Sequence, residues 1–119
     1  MLMTRMWLGV GAVVVAASAA VAATSNHANA DTRIREDRKV VEAAAGRFGY
    51  DAINDAWAQS KQANLAPLDS IKGTVPLRYV GGREQAGSVV VLTFASHRGT
   101  CLDLVSSPIG NTVRRHTGC

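Results

Sequence analysis

The chain has 119 residues, with 13 Lys or Arg against 9 Asp or Glu and a formal net charge of +4. This length accommodates one small domain at most. Acidic and basic residues are interspersed, as in RIREDRKVVE, so we expect neither a single-sign surface nor a nucleic-acid partner. No phosphate-binding glycine motif of the G-x-x-x-x-G-K-[ST] type occurs, and nothing in the sequence indicates a cofactor.

The amino-terminal segment is apolar, reading MWLGVGAVVVAASAAVAA over residues 6–23. One interpretation is a secretory signal peptide that spans residues 1–30. Arg5 supplies its basic region, and the small-x-small triplet ending at Ala30 supplies its cleavage site. Residues 31–119 are then a small α+β globular domain that is periplasmic or secreted.

The other interpretation keeps this apolar segment as a membrane helix. About 18 apolar residues reach roughly 27 Å as a helix, close to the hydrocarbon thickness of a bilayer. Neither glycine nor proline occurs between Gly11 and Gly46, so no local signal requires the helix to stop there. Val13 and Val14 belong to an alanine-rich surface on which small residues permit close packing against other copies.

The segment that follows predicts an amphipathic helix. Ile34, Val41 and Phe48 recur every seven residues and form one apolar stripe among charged side chains. We expect this stripe to pack on the rest of the domain. A second, short helix is expected to begin with Asp51 as its cap and to hold Trp57 as a core anchor.

The carboxyl-terminal half indicates strands. Alternation predicts a strand over residues 74–80, followed by a glycine turn at 81–82, and β-branched residues predict a central strand over 88–95. Thr100 and Asp103 resemble a helix-capping box, which predicts a short helix over 101–107. A short edge strand is expected near 112–114. The predicted class is α+β, with a long N-terminal helix packed on a small antiparallel sheet.

Cys101 and Cys119 are the only cysteines, and an even count in an exported chain predicts a disulfide. It would close a loop of about 18 residues and contribute roughly 3 kcal/mol in the chain-entropy model. A zinc alternative uses His97, Cys101, His116 and Cys119 as ligands, and a nucleophile alternative uses Cys101 with His97 and Asp103. Both require free thiolates, so we expect neither a metal site nor catalysis.

Three passages resemble the type IV pilins, in particular the type IVb and conjugative-pilus group. WLGVGAVVVAASAAVAA followed by DTRIREDRKVVEAAAGRF resembles their apolar-then-amphipathic spine helix. IKGTVPLRYV is similar to the segment that joins helix to sheet. SVVVLTFASHRGTCLDLVSSPIG resembles the central strand, turn and short cysteine-bearing helix of the family.

The resemblance implies a structural subunit without enzymatic activity. Such a subunit is held in the inner membrane by its helix and assembles with copies of itself or other pilins into a surface filament. Gly9 or Gly11 would precede the processing cut, and Cys101 and Cys119 would bound the surface loop. The glutamate usual near the start of the processed helix is absent, which points to a minor pilin or a pilin-like relative. The alternative is a soluble exported binding module cleaved after Ala30.

Overall fold

The computed structural model describes residues 29–119 of the chain. The candidate processing residues Gly9 and Gly11, and the helix-packing residues Val13 and Val14, lie outside the described residues. Arg33–Cys119 form one compact unit. Among residues 29–119, no helix combines the length and the apolar content that crossing a membrane requires.

The described residues form an α+β fold, as predicted. Its four-stranded antiparallel sheet has the order β1-β2-β3-β4, so each strand pairs with its neighbours in sequence. The helices precede the sheet in the chain. The elements are α1 (residues 29–47, the described part of that helix), α2 (Tyr50–Lys61), α3 (Ala66–Lys72), β1 (Arg78–Gln85), β2 (Val89–Ala95), β3 (Thr100–Ser107) and β4 (Gly110–Thr117).

The hydrophobic core lies between the helices and one face of the sheet. Ile34 and Val41 of α1 are buried, and Phe48, directly after the helix, is half-buried. Alternate residues of the central strands point into this core, because side chains change faces at every step along a strand. The core side chains are Val41, Ala44, Ile53, Ala56, Leu68, Ile71, Val75, Val90, Leu92, Phe94, Leu102, Leu104 and Val113.

The prediction of a helix over residues 101–107 is wrong, because this segment belongs to strand β3. Its sequence, TCLDLVSS, alternates: Leu102 and Leu104 face the helices, whereas Asp103 faces away from them. Both sides of the strand are paired, with β2 and with β4. Hydrogen bonds to these two neighbouring strands stabilise the extended conformation of β3. They outweigh the local preference for a helix that the capping-box pattern indicates.

The prediction for the first strand is displaced, because β1 spans Arg78–Gln85 rather than residues 74–80. Gly81 and Gly82 lie inside the strand instead of forming a turn, next to a break in register between Tyr79 and Gly81. A Cβ atom at Gly82 would lie 2.4 Å from the ring of Trp57. This glycine therefore permits Trp57 to lie across the strand.

Helix boundaries also differ from the prediction. Gly49, not Asp51, occupies the N-cap of α2. Pro67 lies in the first turn of a further helix, α3, where its missing N–H costs no hydrogen bond. The last strand, β4, is longer than the predicted edge strand at 112–114.

Candidate functional site

The sheet has a second face, on which none of the helices within residues 29–119 packs. Every other residue of each strand lies on this face, and these residues include most of the charged side chains of the sheet. We call this surface the open face. Its charged and polar members are Arg78, Arg83, Gln85, Thr93, Asp103, Thr112, Arg114 and His116.

Asp103, from β3, lies at the centre of the open face with 0% of its surface exposed. The Thr93 hydroxyl donates a hydrogen bond of 2.7 Å to its Oδ1, and His116 Nε2 lies 3.0 Å from the same oxygen. Arg114 Nη2 donates to Oδ2 at 3.0 Å, while Arg83 Nη2 lies 3.5 Å from Oδ2. Each carboxylate oxygen therefore has two partners.

These contacts decide the charge of Asp103. Burial raises the pKa of a carboxyl group, but the hydrogen bonds from Thr93, Arg114 and His116 outweigh this effect and hold the pKa of Asp103 below its ordinary value. Asp103 is therefore ionised at neutral pH. The side chains of Arg83 and Arg114 are about half exposed, so each guanidinium keeps N–H donors that face the solvent.

The predicted disulfide between Cys101 and Cys119 is present beside this cluster. Cys101 precedes Asp103 by two residues on the same face of β3, and its Cα atom lies 5.8 Å from that of Cys119. The bond holds the end of the chain against the sheet, where Gly118 N donates to Gly99 O at 3.0 Å. A hollow of about 310 Å³ lies there, lined in part by Val80, Arg83, Thr93, His116 and Cys119.

The residues of the zinc and nucleophile alternatives are engaged elsewhere. Both cysteines are consumed by the disulfide, and the described residues contain no free thiol. His97 Nε2 lies 3.2 Å from Asp37 on α1, whereas His116 contacts Asp103. No group of three His, Cys, Asp or Glu side chains within residues 29–119 is arranged to hold a metal ion.

A second concavity, of about 700 Å³, lies between the end of α1 and the turn that joins β3 to β4. Asn111 Nδ2 donates to the carbonyl oxygens of Ala45 at 3.1 Å and Phe48 at 2.6 Å, and so closes the end of α1 against the sheet. Ile109, at the tip of the turn, is 99% exposed. The lining combines charged side chains such as Arg38 and Glu42 with apolar ones such as Phe48 and Ile109.

Sequence reasoning missed the central residues of the open face. The sequence pattern places Asp103 in a helix-capping box and beside Cys101, and it does not single out Arg83 or Arg114. The signal that locates them is the alternation of β3, which directs Asp103 to the face that Arg114 on β4 also occupies. Ala30, the candidate cleavage residue, lies within α1.

The open face has the chemistry of a docking surface. It combines oriented cationic groups, one buried carboxylate and a disulfide that restrains the end of the chain. Comparison with protein-family models, with curated proteins and with solved structures found no match to this chain.

Proposed function

We propose that the protein is a structural, pilin-like subunit, held in a membrane by its N-terminal helix and assembled through that helix into a pilus-type filament. The observation that carries the proposal is the amphipathic character of α1. Val41 and Ala44 on its buried side belong to the core, residues 6–23 of the chain are apolar, and neither glycine nor proline occurs between Gly11 and Gly46. In this proposal α1 continues backward as one long helix from water into lipid.

The attachment of α1 to the sheet supports a role in transmitting force. Arg38 Nη2 donates to the carbonyl oxygen of Val113 at 3.0 Å, and Asn111 holds the carbonyl end of the helix. Further toward the start of α1, Asp37 accepts a 2.7 Å hydrogen bond from Ser96. Because the helix is fixed at several points along the sheet, force on the helix is transmitted to the domain.

The proposed mechanism divides the chain into two working parts. The alanine and valine surface that includes Val13 and Val14 packs against the same surface of other subunits, where small residues permit close approach. The α+β domain is then displayed at the filament surface. No bond is made or broken in this function.

Val14→Asp tests the proposal. A carboxylate at the centre of a membrane helix costs about 2.5–3.5 kcal/mol on insertion scales, so membrane retention and filament assembly should both be lost. Arg35→Asp, on the exposed side of α1, is the control and should behave as the unmodified protein. Normal retention and assembly of Val14→Asp would disprove the proposal.

A second candidate is an exported binding module, consisting of residues 31–119 released by cleavage after Ala30. The observation that favours it is the cationic open face, on which Arg83 and Arg114 keep exposed donors. Fractionation of the exporting cell separates the two candidates. The binding module is recovered in the soluble fraction, whereas the filament subunit is recovered with membranes or filaments.

A further inference from the structure

The open face carries an excess of positive charge. Its cationic side chains are Arg78, Arg83 and Arg114, with His116 as a further titratable group. Its only acidic residue, Asp103, has no exposed surface and is already engaged by its neighbours. The half-buried side chains of Val89 and Val105 lie between the charges. The surface therefore favours an acidic partner.

The opposite side of the same compact unit presents such a surface. Ile53 and Ala56 bury one side of α2, and helical periodicity places Asp51 and Asp55 on the other, exposed side. Within residues 29–119, neither aspartate takes part in an ion pair. Ala58 shares this surface and keeps it flat. We call it the outer face of α2.

The other acidic groups of the helical layer are already matched. Asp69 pairs with Lys72 at 3.2 Å, and Glu84 pairs with Lys61. On α1, the exposed acids alternate with arginine and lysine along the helix, so that surface has no acidic excess. The outer face of α2 is thus the acidic surface of the described unit that remains for an intermolecular contact.

We propose that the open face of one copy docks on the outer face of α2 of a second copy. Arg83 and Arg114 then meet Asp51 and Asp55, and Arg78, about 16 Å from Arg83 along β1, flanks the contact. The two surfaces differ and lie on opposite sides of the unit, so the contact is head to tail and repeats from copy to copy. The inference rests on the proposed function, in which it supplies the contact between neighbouring domains of the filament.

The spacing of the groups matches this contact. Asp51 and Asp55 are one helical turn apart, about 6 Å along the axis. Arg83 and Arg114 both lie within 3.5 Å of the same Asp103 oxygen, so their guanidinium groups are close neighbours. Asp103 also holds them in place before any partner arrives, which reduces the entropy lost on binding. This gives Asp103 a positioning role.

The size of the contact sets its strength. The outer side of α2, a 12-residue helix, is about 18 Å long and about 10 Å wide, so the contact covers about 200 Å² on each copy. That is below the size of a stable interface, so isolated domains bind each other weakly. Copies joined through their N-terminal helices meet at high effective concentration, and the same contact then becomes significant. It also weakens as salt screens the charges.

Charge reversal on the full-length chain tests the docking. The first variant carries Asp51→Arg and Asp55→Arg, and the second carries Arg78→Glu and Thr112→Glu, so neither disturbs the partners of Asp103. The first variant alone brings like charges together, and its assembled fraction should fall at least fivefold in sedimentation and electron microscopy. The second variant cancels the positive excess of the open face but keeps Arg83 and Arg114, so its assembled fraction should fall to a smaller degree. An equimolar mixture sets the new arginines of the first variant against the new glutamates of the second and should assemble better than either variant alone.

Matched controls separate docking from folding and from net charge. Arg115→Glu with Thr117→Glu makes the same charge change on the other side of β4 and should assemble normally. Asp51→Asn with Asp55→Asn removes the acidic charge without reversal and should weaken assembly to a smaller degree. Circular dichroism and non-reduced mass verify that each variant is folded and keeps its disulfide.

The outcomes distinguish this inference from the function on which it rests. Normal assembly of either reversed variant alone, or failure of the mixture when both variants are folded, overturns the docking. If such variants form normal filaments, the filament proposal stands without it. If the mixture associates in a protein recovered entirely in the soluble fraction, the docking stands and the filament proposal falls.

Discussion

At the level of single residues, Asp103 has the greatest consequence, because it is a fully buried carboxylate on the open face of the sheet. Burying an ionised carboxylate costs several kcal/mol unless hydrogen bonds and opposite charges compensate for the lost water. Thr93, Arg114 and His116 provide this compensation, and Arg83 adds a further positive charge. The charge is thereby retained, and it orients the arginines around it.

Asp103→Asn should reduce the free energy of unfolding by about 2–3 kcal/mol at pH 7, because hydrogen bonds to a charged acceptor are replaced by weaker ones. Since the folded-state pKa of Asp103 is lowered, its charge stabilises the fold fully above the unfolded pKa of about 3.9. The stabilisation is lost as the pH falls through the lower, folded pKa. The variant and the unmodified protein should then converge in stability.

Urea unfolding at pH 7 and in strong acid measures both effects. Asp51→Asn makes the same chemical change at an exposed site on α2 and should alter the free energy of unfolding by less than about 0.5 kcal/mol. Equal stability of Asp103→Asn and the unmodified protein at pH 7 would contradict this role. A difference that persists unchanged in acid would contradict its electrostatic origin.

At the level of elements, the sequence correctly predicts helices and strands that depend on local pattern. It fails for strands whose conformation depends on pairing with distant segments. β2 was predictable, because a run of β-branched residues favours a strand in almost any context. β3 was not, since few of its residues have strong local preference and its conformation depends on pairing with β2 and β4. With β3 misassigned, the grouping of Asp103 with Arg114 could not be derived either.

The contact of β1 with α2 gives a second prediction. Gly82→Ala would place a Cβ atom 2.4 Å from the ring of Trp57 and 2.6 Å from the hydroxyl oxygen of Tyr79. Trp57 must move, which disturbs the 2.7 Å hydrogen bond from its Nε1 to Glu84. We expect a loss of about 1–3 kcal/mol, as for other overpacking substitutions.

Thermal unfolding and tryptophan emission measure this effect, in a Trp7→Phe background so that Trp57 is the only emitter. A displaced, more hydrated Trp57 should emit at longer wavelength. Gly81→Ala is the control, since a Cβ atom there has no neighbour within 4 Å in the described structure. An unchanged melting temperature and emission spectrum for Gly82→Ala would refute the close packing.

At the level of the whole molecule, the account depends on how the chain begins. The described unit, Arg33–Cys119, is a small α+β domain stabilised by one disulfide across a separation of 18 residues. A disulfide of this span contributes roughly 3 kcal/mol, a substantial share of the stability of so small a domain. The fold class could be predicted from sequence, because helical and alternating patterns follow one another along the chain. The disulfide could be predicted because the chain has two cysteines. The continuation of α1 toward the membrane stays a prediction.

The most direct test of the central claim is the intact mass of the exported protein, measured without reductant. The account predicts a chain that begins at residue 10 or 12, after Gly9 or Gly11, and that is lighter than its dithiol form by one pair of hydrogens. Such a mass means that the apolar segment is retained and that the disulfide is formed. A mass that begins at residue 31 would contradict the account, because cleavage after Ala30 removes the helix on which filament assembly depends.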